Sequence, residues 1–172
     1  DKHKVKMILE AAQMLCTAHH HYAELYEYDA GYIPYRKAHY NHPSTKWVRK
    51  NMQTYFWLYD YMMALGEEYT KRYKKTHLSI TKCKDILLNP PEGMQNDYFT
   101  LPPQCMPDEY KVKGNTLKAY WNYYINDKKS IINKNEKPYT EYPFDVDDLD
   151  VRLDRNGNYI PRYHQSNRQY AG

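Results

Sequence analysis

Residues 45–75, TKWVRKNMQTYFWLYDYMMALGEEYTKRYKK, carry the longest helical pattern in this chain. At about 100° per residue, their large apolar side chains fall on one face and most of their charged side chains on the other. Ser44 or Thr45 can cap the start of such a helix. We therefore predict a single amphipathic helix over 45–75. Its predicted inner face comprises Trp47, Val48, Asn51, Tyr55, Leu58, Tyr59, Met62, Leu65 and Tyr69.

Asn51 is the polar exception on that apolar face. A buried amide needs hydrogen-bond partners. We favour a structural role, in which Asn51 bonds to a loop backbone or a tyrosine hydroxyl. The alternative is a contact to a ligand in a cleft between helices.

Three further helices are predicted around this segment, joined by loops rich in proline and glycine. The first helix has a broad apolar side and one narrow polar stripe, which is typical of a well-buried helix. The third helix should end before Pro90, because a proline disfavours helical backbone at the residue before it. The predicted helices cover residues 2–28, 78–89 and 115–133, and the predicted loops cover residues 29–44 and 90–114.

The composition changes at residue 134, where prolines, tyrosines and an acidic run replace the helical pattern. We predict a mostly α-helical protein, with a compact single-domain bundle over 1–133 and an extended tail over 134–172. The tail should wrap its own domain or grip a neighbouring subunit, which would make the chain a homo-oligomer. Residues 154–158, DRNGN, are predicted to form a turn rather than a calcium loop, because the loop's first position would hold Arg152.

The composition excludes several classes of protein. The 172 residues include 21 tyrosines, 3 tryptophans and 3 phenylalanines, so we expect a folded, aromatic core. No apolar run approaches the roughly 20 residues of a membrane-spanning helix, and no signal peptide is evident. Cys16, Cys83 and Cys105 form no CxxC pair, which favours a reduced, cytoplasmic setting. The net charge of +4 favours a polyanionic partner only slightly.

The polar stripe on the first helix is the strongest local feature. His3, Lys6, Glu10, Gln13 and Thr17 fall together at spacings of three and four residues. One interpretation is a solvated stripe with a Lys–Glu pair one turn apart. The other is a catalytic carboxylate, Glu10, on a rigid helix, bordered by cations that hold it ionised.

The motif Asp1-x-His3, followed seven residues later by Glu10, resembles the endonuclease V-type pyrimidine-dimer DNA glycosylases of bacteriophages. Longer stretches are similar to uncharacterised phage proteins with the same glycosylase label. These stretches cover about half of the chain and are KHKVKMILEAAQMLCTAH, NHPSTKWVRKNMQTYFWLYDYMMALGEEYTKRY, QCMPDEYK and LKAYWNYYINDKK.

The resemblance implies a DNA glycosylase with coupled lyase activity, acting on double-stranded DNA in the cytoplasm of a phage-infected cell. It implies that an amine attacks C1′ of a damaged nucleotide while Glu10 stabilises the charged sugar. The family places that α-amine upstream of the motif, so we expect either a leading segment before Asp1 or no nucleophile. Lys6 could supply an amine one turn from Glu10, but a lysine beside a carboxylate should stay protonated.

The other predicted site residues are DNA contacts in the same cleft or at its edges. His3, Lys6 and Gln13 would line the cleft beside Glu10, and Lys6 and His3 would assist the chemistry. We predict no cofactor and no metal site. Because adjacent helical residues point about 100° apart, His19, His20 and His21 should form a surface patch rather than a zinc site. The predicted phosphate contacts are Arg49, Lys50, Lys128 and Lys129.

A second hypothesis belongs to another class of protein. The chain could be a non-enzymatic phage binding protein or a virion-associated structural protein that keeps the helical scaffold. A tail that grips a neighbouring subunit would favour this hypothesis, whereas an imine formed with damaged DNA would favour the enzyme.

Overall fold

The computed structural model describes residues 2–127 and 151–164, with side chains from Val5 onward. Within this part the chain is helical, as predicted, and the only β-structure is one antiparallel bridge between Leu153 and Tyr159. The predicted boundary at residue 134 lies outside the described residues. The helices are α1 (Lys2–Tyr26), α2 (Pro43–Val48), α3 (Met52–Tyr73), α4 (Leu78–Cys83) and α5 (Thr116–Asn126), with a 3-10 turn at Asp108–Tyr110.

Helix α1 is the central element of the core. It packs against α2, α3 and α4, and most of its apolar side is buried, as the sequence pattern predicts. Tyr55 of α3 is also fully buried, so an aromatic ring lies at the centre of the core, as expected. The fully buried residues of α1 include Ile8, Ala11, Ala12, Leu15, Cys16, Thr17 and Ala18.

The prediction of one continuous helix over 45–75 is wrong, because the segment breaks between α2 and α3. Asn51 is the N-cap of α3: its side chain accepts hydrogen bonds from the backbone N–H groups of Gln53 and Thr54. Its amide also donates to the carbonyl of Tyr98, at 3.2 Å. The predicted structural role of Asn51 in binding a loop backbone is therefore confirmed. The cap of α2 is also different from the prediction, since His42 accepts from the N–H of Ser44.

Helix α4 ends earlier than predicted, at Cys83 rather than near residue 89. Two tyrosine hydroxyls of α3 donate hydrogen bonds to backbone carbonyls of the residues that follow Cys83. Tyr59 donates to the carbonyl of Lys84 at 2.6 Å, and Tyr55 donates to that of Leu87 at 2.9 Å. These bonds satisfy acceptors at the helix end, and the chain continues as turns. Residues 90–114 are mostly loop, as predicted.

Residues 151–164, which we call the strap, lie along α3 of their own chain. The strap contains the predicted turn, in which the Asp154 carboxylate accepts from the N–H groups of Asn156 and Asn158. Gln53 binds the strap twice, donating to the Asn158 side chain and accepting from the N–H of Tyr159, both at 2.8 Å. This part of the predicted tail therefore folds back on the chain's own helical domain. Among the described residues, no helix has the length and apolarity needed to cross a membrane.

Candidate functional site

Glu10 lies in the middle of α1 and is partly accessible to solvent. Its side chain is 33% exposed, and its Oε1 atom lies 3.3 Å from Nζ of Lys6, whose side chain is 70% exposed. The helix fixes the backbone of both residues, so the pair has the spacing that the sequence predicts. The neighbouring ammonium compensates the charge of a carboxylate that still reaches solvent.

Tyr61 of α3 lies within electrostatic range of Glu10. Burial raises the pKa of the Tyr61 hydroxyl, and the negative charge of Glu10 raises it further, so this hydroxyl stays protonated at neutral pH. The Tyr61 ring stacks on Trp57, with centroids 5.5 Å apart and planes 9° apart. Tyr61 is a site residue that the sequence analysis missed, because it lies outside the predicted inner face of its helix.

The loop after α1 covers the second half of the polar stripe. Thr17 accepts a hydrogen bond from the N–H of Ala38 at 3.0 Å, and Glu24 forms an ion pair with Lys37 at 2.6 Å. Glu10 and Gln13, which lie before Thr17 on the helix, have no such contact with this loop among the described residues. The loop therefore divides the stripe into a covered half and a more open half, and Glu10 lies on the open half.

The three consecutive histidines follow Thr17 on α1 and face different neighbours, so they do not form the predicted surface patch. Each is partly buried, and each bonds to a residue outside α1. His19 bonds to the Tyr55 hydroxyl, His20 to the carbonyl of Tyr35 and His21 to the Tyr40 hydroxyl, each at 2.8 Å. Burial lowers the pKa of His19 to about 4, so this imidazole is neutral at physiological pH. These histidines attach the following elements to α1.

The two described phosphate-contact candidates lie where α2 gives way to α3. The Arg49 guanidinium stacks on the Tyr40 ring at 3.9 Å and donates to the Tyr40 carbonyl at 2.7 Å. Nζ of Lys50 lies 5.1 Å from the centroid of the exposed Tyr98 ring. Both cations therefore make cation–π contacts with tyrosine rings, which the sequence positions of these residues did not indicate.

The structure brings together only some of the predicted site residues. Lys6, Glu10 and Gln13 share one stretch of α1. Arg49, at the end of α2, lies beside His21, which is about 16 Å from Glu10 along the axis of α1. Lys128 and Lys129 lie outside the described residues, as does the His3 side chain. In the described part of the chain, no three histidine, cysteine or acidic side chains are arranged to hold a metal ion.

A shallow groove of about 400 Å³ lies elsewhere, between α3 and α4. Its lining includes Met63, Gly66 and Ile80, and none of the predicted site residues. Gly66 allows close packing there, because a Cβ at this position would lie 2.7 Å from the Ile80 side chain, which would have to shift. The groove is thus a consequence of close packing between two helices and is separate from Glu10.

Comparisons with known proteins give no match. No family model matches the chain, and no curated protein or solved structure is significantly similar to it.

Proposed function

We propose that this protein binds double-stranded DNA and cleaves the glycosidic bond of a damaged pyrimidine, with Glu10 as the catalytic carboxylate. The observation that carries the proposal is the position of Glu10 on the open half of the α1 stripe. It combines an accessible carboxylate, a cation at 3.3 Å and a rigid helical backbone. Damaged bases stack poorly and are the least costly to extrude from a duplex, so they are the substrates that such a site can reach.

The chemistry needs a carboxylate that is ionised when positive charge develops on the sugar. A neutral primary amine, which by the family resemblance is an α-amine rather than Lys6, attacks C1′ and gives up a proton to Glu10. The C1′–N bond breaks, and the base leaves with the electron pair and takes up a proton. The nitrogen now bound to C1′ becomes an iminium when the sugar ring opens. Removal of a proton from C2′ then expels the 3′-phosphate and cuts the strand. In this scheme Glu10 stabilises the cationic sugar and moves protons, as a fixed negative charge close to the reacting carbon can.

Lys6 has a supporting part in this scheme. Its ammonium lies beside the Glu10 carboxylate, where a protonated amine compensates charge rather than attacks carbon. Gln13 lies one turn after Glu10, on the same stripe, and can donate or accept a hydrogen bond with the extruded nucleotide. The His3 backbone begins the same helix two turns earlier.

Trapping of the imine tests this proposal. The full chain is incubated with a duplex that contains one cyclobutane pyrimidine dimer, and borohydride reduces any imine to a stable covalent adduct. We expect an adduct with the wild-type protein and at least a 100-fold slower appearance of it with Glu10→Gln, the range typical of a lost acid–base group.

The matched control is Glu68→Gln. Glu68 also forms an ion pair one helical turn from a cation, Arg72, at 2.5 Å, but it lies on α3. Its replacement should leave the rate of trapping within twofold of wild type. Absence of an adduct with the wild-type chain, or equal rates for Glu10→Gln and wild type, would refute the proposal.

A further inference from the structure

Tyr40 is the centre of a basic cluster that the proposed chemistry does not use. The cluster, which we call the Tyr40 cluster, consists of His21, Lys37, Tyr40 and Arg49. The Arg49 guanidinium lies 3.9 Å from the ring centroid, and Nζ of Lys37 lies 5.0 Å from it. Nδ1 of His21 bonds to the Tyr40 hydroxyl at 2.8 Å, which fixes the position of the ring that both cations approach.

The charges of this cluster do not balance. Lys37 is paired with Glu24 at 2.6 Å, and no carboxylate of the described residues pairs with Arg49. Burial lowers the pKa of His21, and the positive charge of Arg49 lowers it further, so His21 is neutral at pH 7. The cluster with Glu24 therefore carries a net charge of about +1, concentrated on Arg49.

The single polar contact of Arg49 leaves most of its donors open. A guanidinium has five N–H donors, and the described residues provide one carbonyl acceptor, that of Tyr40. Arg49 is partly buried, and removing a charge from water is costly unless an anion or several acceptors replace the water. The Tyr40 ring holds the guanidinium plane in place, so an incoming anion meets a donor set that is already ordered.

We propose that the Tyr40 cluster binds one backbone phosphate of duplex DNA, with Arg49 as the main ligand and Lys37 as a second cation. This inference rests on the proposed function for the identity of the ligand, because a phosphodiester is the anion that a DNA enzyme must hold. Glu10 and His21 are eleven residues apart and so lie on nearly the same side of α1, about 16 Å apart along its axis. The cluster thus anchors the duplex at a distance from the reacting nucleotide.

The experiment measures the affinity of the full chain for an undamaged, fluorescently labelled duplex at several salt concentrations. Arg49→Gln should weaken binding about tenfold and reduce the slope of log affinity against log salt by about one, as loss of one phosphate contact requires. Arg49→Lys keeps the charge and should lie between Arg49→Gln and wild type. Arg36→Gln is the matched control, because Arg36 is an exposed cation on the loop that carries Lys37 and Tyr40.

Two outcomes would overturn the inference. One is an affinity of Arg49→Gln within twofold of wild type with an unchanged salt slope, in a variant whose circular dichroism is native. The other is an equal loss with Arg36→Gln, which would indicate a diffuse charge effect. A separate competition experiment adds inorganic phosphate to the labelled duplex. Phosphate should not displace the duplex measurably below millimolar concentration; strong displacement would be a third contrary result and would show that a free anion is the ligand instead.

The test of the phosphate site can fail or succeed independently of the test of Glu10. Duplex affinity and its salt slope test the phosphate contact of Arg49, whereas borohydride trapping tests the glycosylase chemistry of Glu10. Failure of trapping with retained Arg49-dependent binding would refute the glycosylase and keep the phosphate site.

Discussion

Asp60 and Glu10 are both carboxylates on long helices, and their surroundings differ in almost every respect. Asp60 of α3 is 6% exposed and accepts three hydrogen bonds from the strap: from the Tyr159 hydroxyl at 2.6 Å and from the N–H groups of Arg162 and Tyr163 at 2.6 and 3.2 Å. Glu10 of α1 has Lys6 as its nearest partner and keeps a third of its side chain exposed. The first carboxylate holds two parts of the fold together, whereas the second has one exposed cation as its partner and remains accessible to solvent.

The strap explains why Asp60 is committed to structure. Burial raises the pKa of Asp60, and its hydrogen bonds with Tyr159 and the strap backbone act in the opposite direction. The rings reinforce this attachment: Tyr159 stacks on Phe99 at 5.5 Å, and His164 lies edge-on to Phe56 at 5.1 Å. A carboxylate in this position has its oxygens occupied by donors of its own chain.

The largest effect is expected at Asp60. Asp60→Ala leaves three partly buried donors without an acceptor, and each costs about 1–3 kcal/mol. We expect the free energy of unfolding to fall by about 4 kcal/mol, measured by urea denaturation. The control is Asp85→Ala on the exposed turn after α4, which should change stability by less than about 0.5 kcal/mol. Similar losses for both variants would contradict a structural role of Asp60.

Acid should lower the stability of the protein through the partly buried His19. The pKa of His19 is about 4 in the native state, against 6.5 when exposed, because burial disfavours the charged ring. As pH falls from 6.5 to 4, the unfolded chain gains a proton that the native state does not, so stability falls by about 3 kcal/mol. His19→Gln should flatten this part of the pH profile. His39→Gln, at an exposed position, should preserve it; equal flattening by both variants would exclude His19 as the cause.

A smaller effect is expected at Gln53, the other strap contact on α3. Gln53→Leu removes the bonds to Asn158 and to the N–H of Tyr159 while keeping a side chain of similar size. We expect a loss of about 2 kcal/mol in unfolding free energy. The strap should also become more sensitive to proteolysis, visible as earlier cleavage within residues 151–164 by limited trypsin digestion at Arg152, Arg155 and Arg162. A digestion pattern identical to wild type would contradict the attachment.

The smallest effect on stability is expected at Glu10. Its ion pair with Lys6 is solvent-exposed, and such pairs contribute about 0.5 kcal/mol or less. Glu10→Gln should therefore melt within about 2 °C of wild type in a thermal scan. A large decrease in melting temperature would show that Glu10 has a structural role like that of Asp60.

The helices could be predicted where the apolar side chains repeat with the helical period and nothing interrupts that repeat. Helix α1 follows the predicted span closely because no proline or glycine interrupts its apolar side. The break before α3 was not predicted, because Trp47 and Tyr55 keep the same helical phase across it. The local signal was the capping box, in which Asn51 and Thr54 exchange hydrogen bonds. Residues that can act as caps are therefore better guides to helix ends than periodicity alone.

The contacts between distant parts of the chain were not predictable. The strap meets α3 across about a hundred residues of sequence, and no local pattern pairs Asp60 with Tyr159. The same holds for the stacking of Arg49 on Tyr40, since the eight residues between them include helix α2. In contrast, the Lys6–Glu10 pair was predicted from its spacing, because a helix fixes the distance between residues one turn apart.

The most direct test of the account is the single-turnover rate of strand cleavage on a dimer-containing duplex, measured with saturating wild-type protein and Glu10→Gln. The account predicts at least a 100-fold lower rate for Glu10→Gln, with unfolding free energy and duplex affinity unchanged. A wild-type chain without cleavage, or a variant that cleaves as fast as wild type, would contradict it.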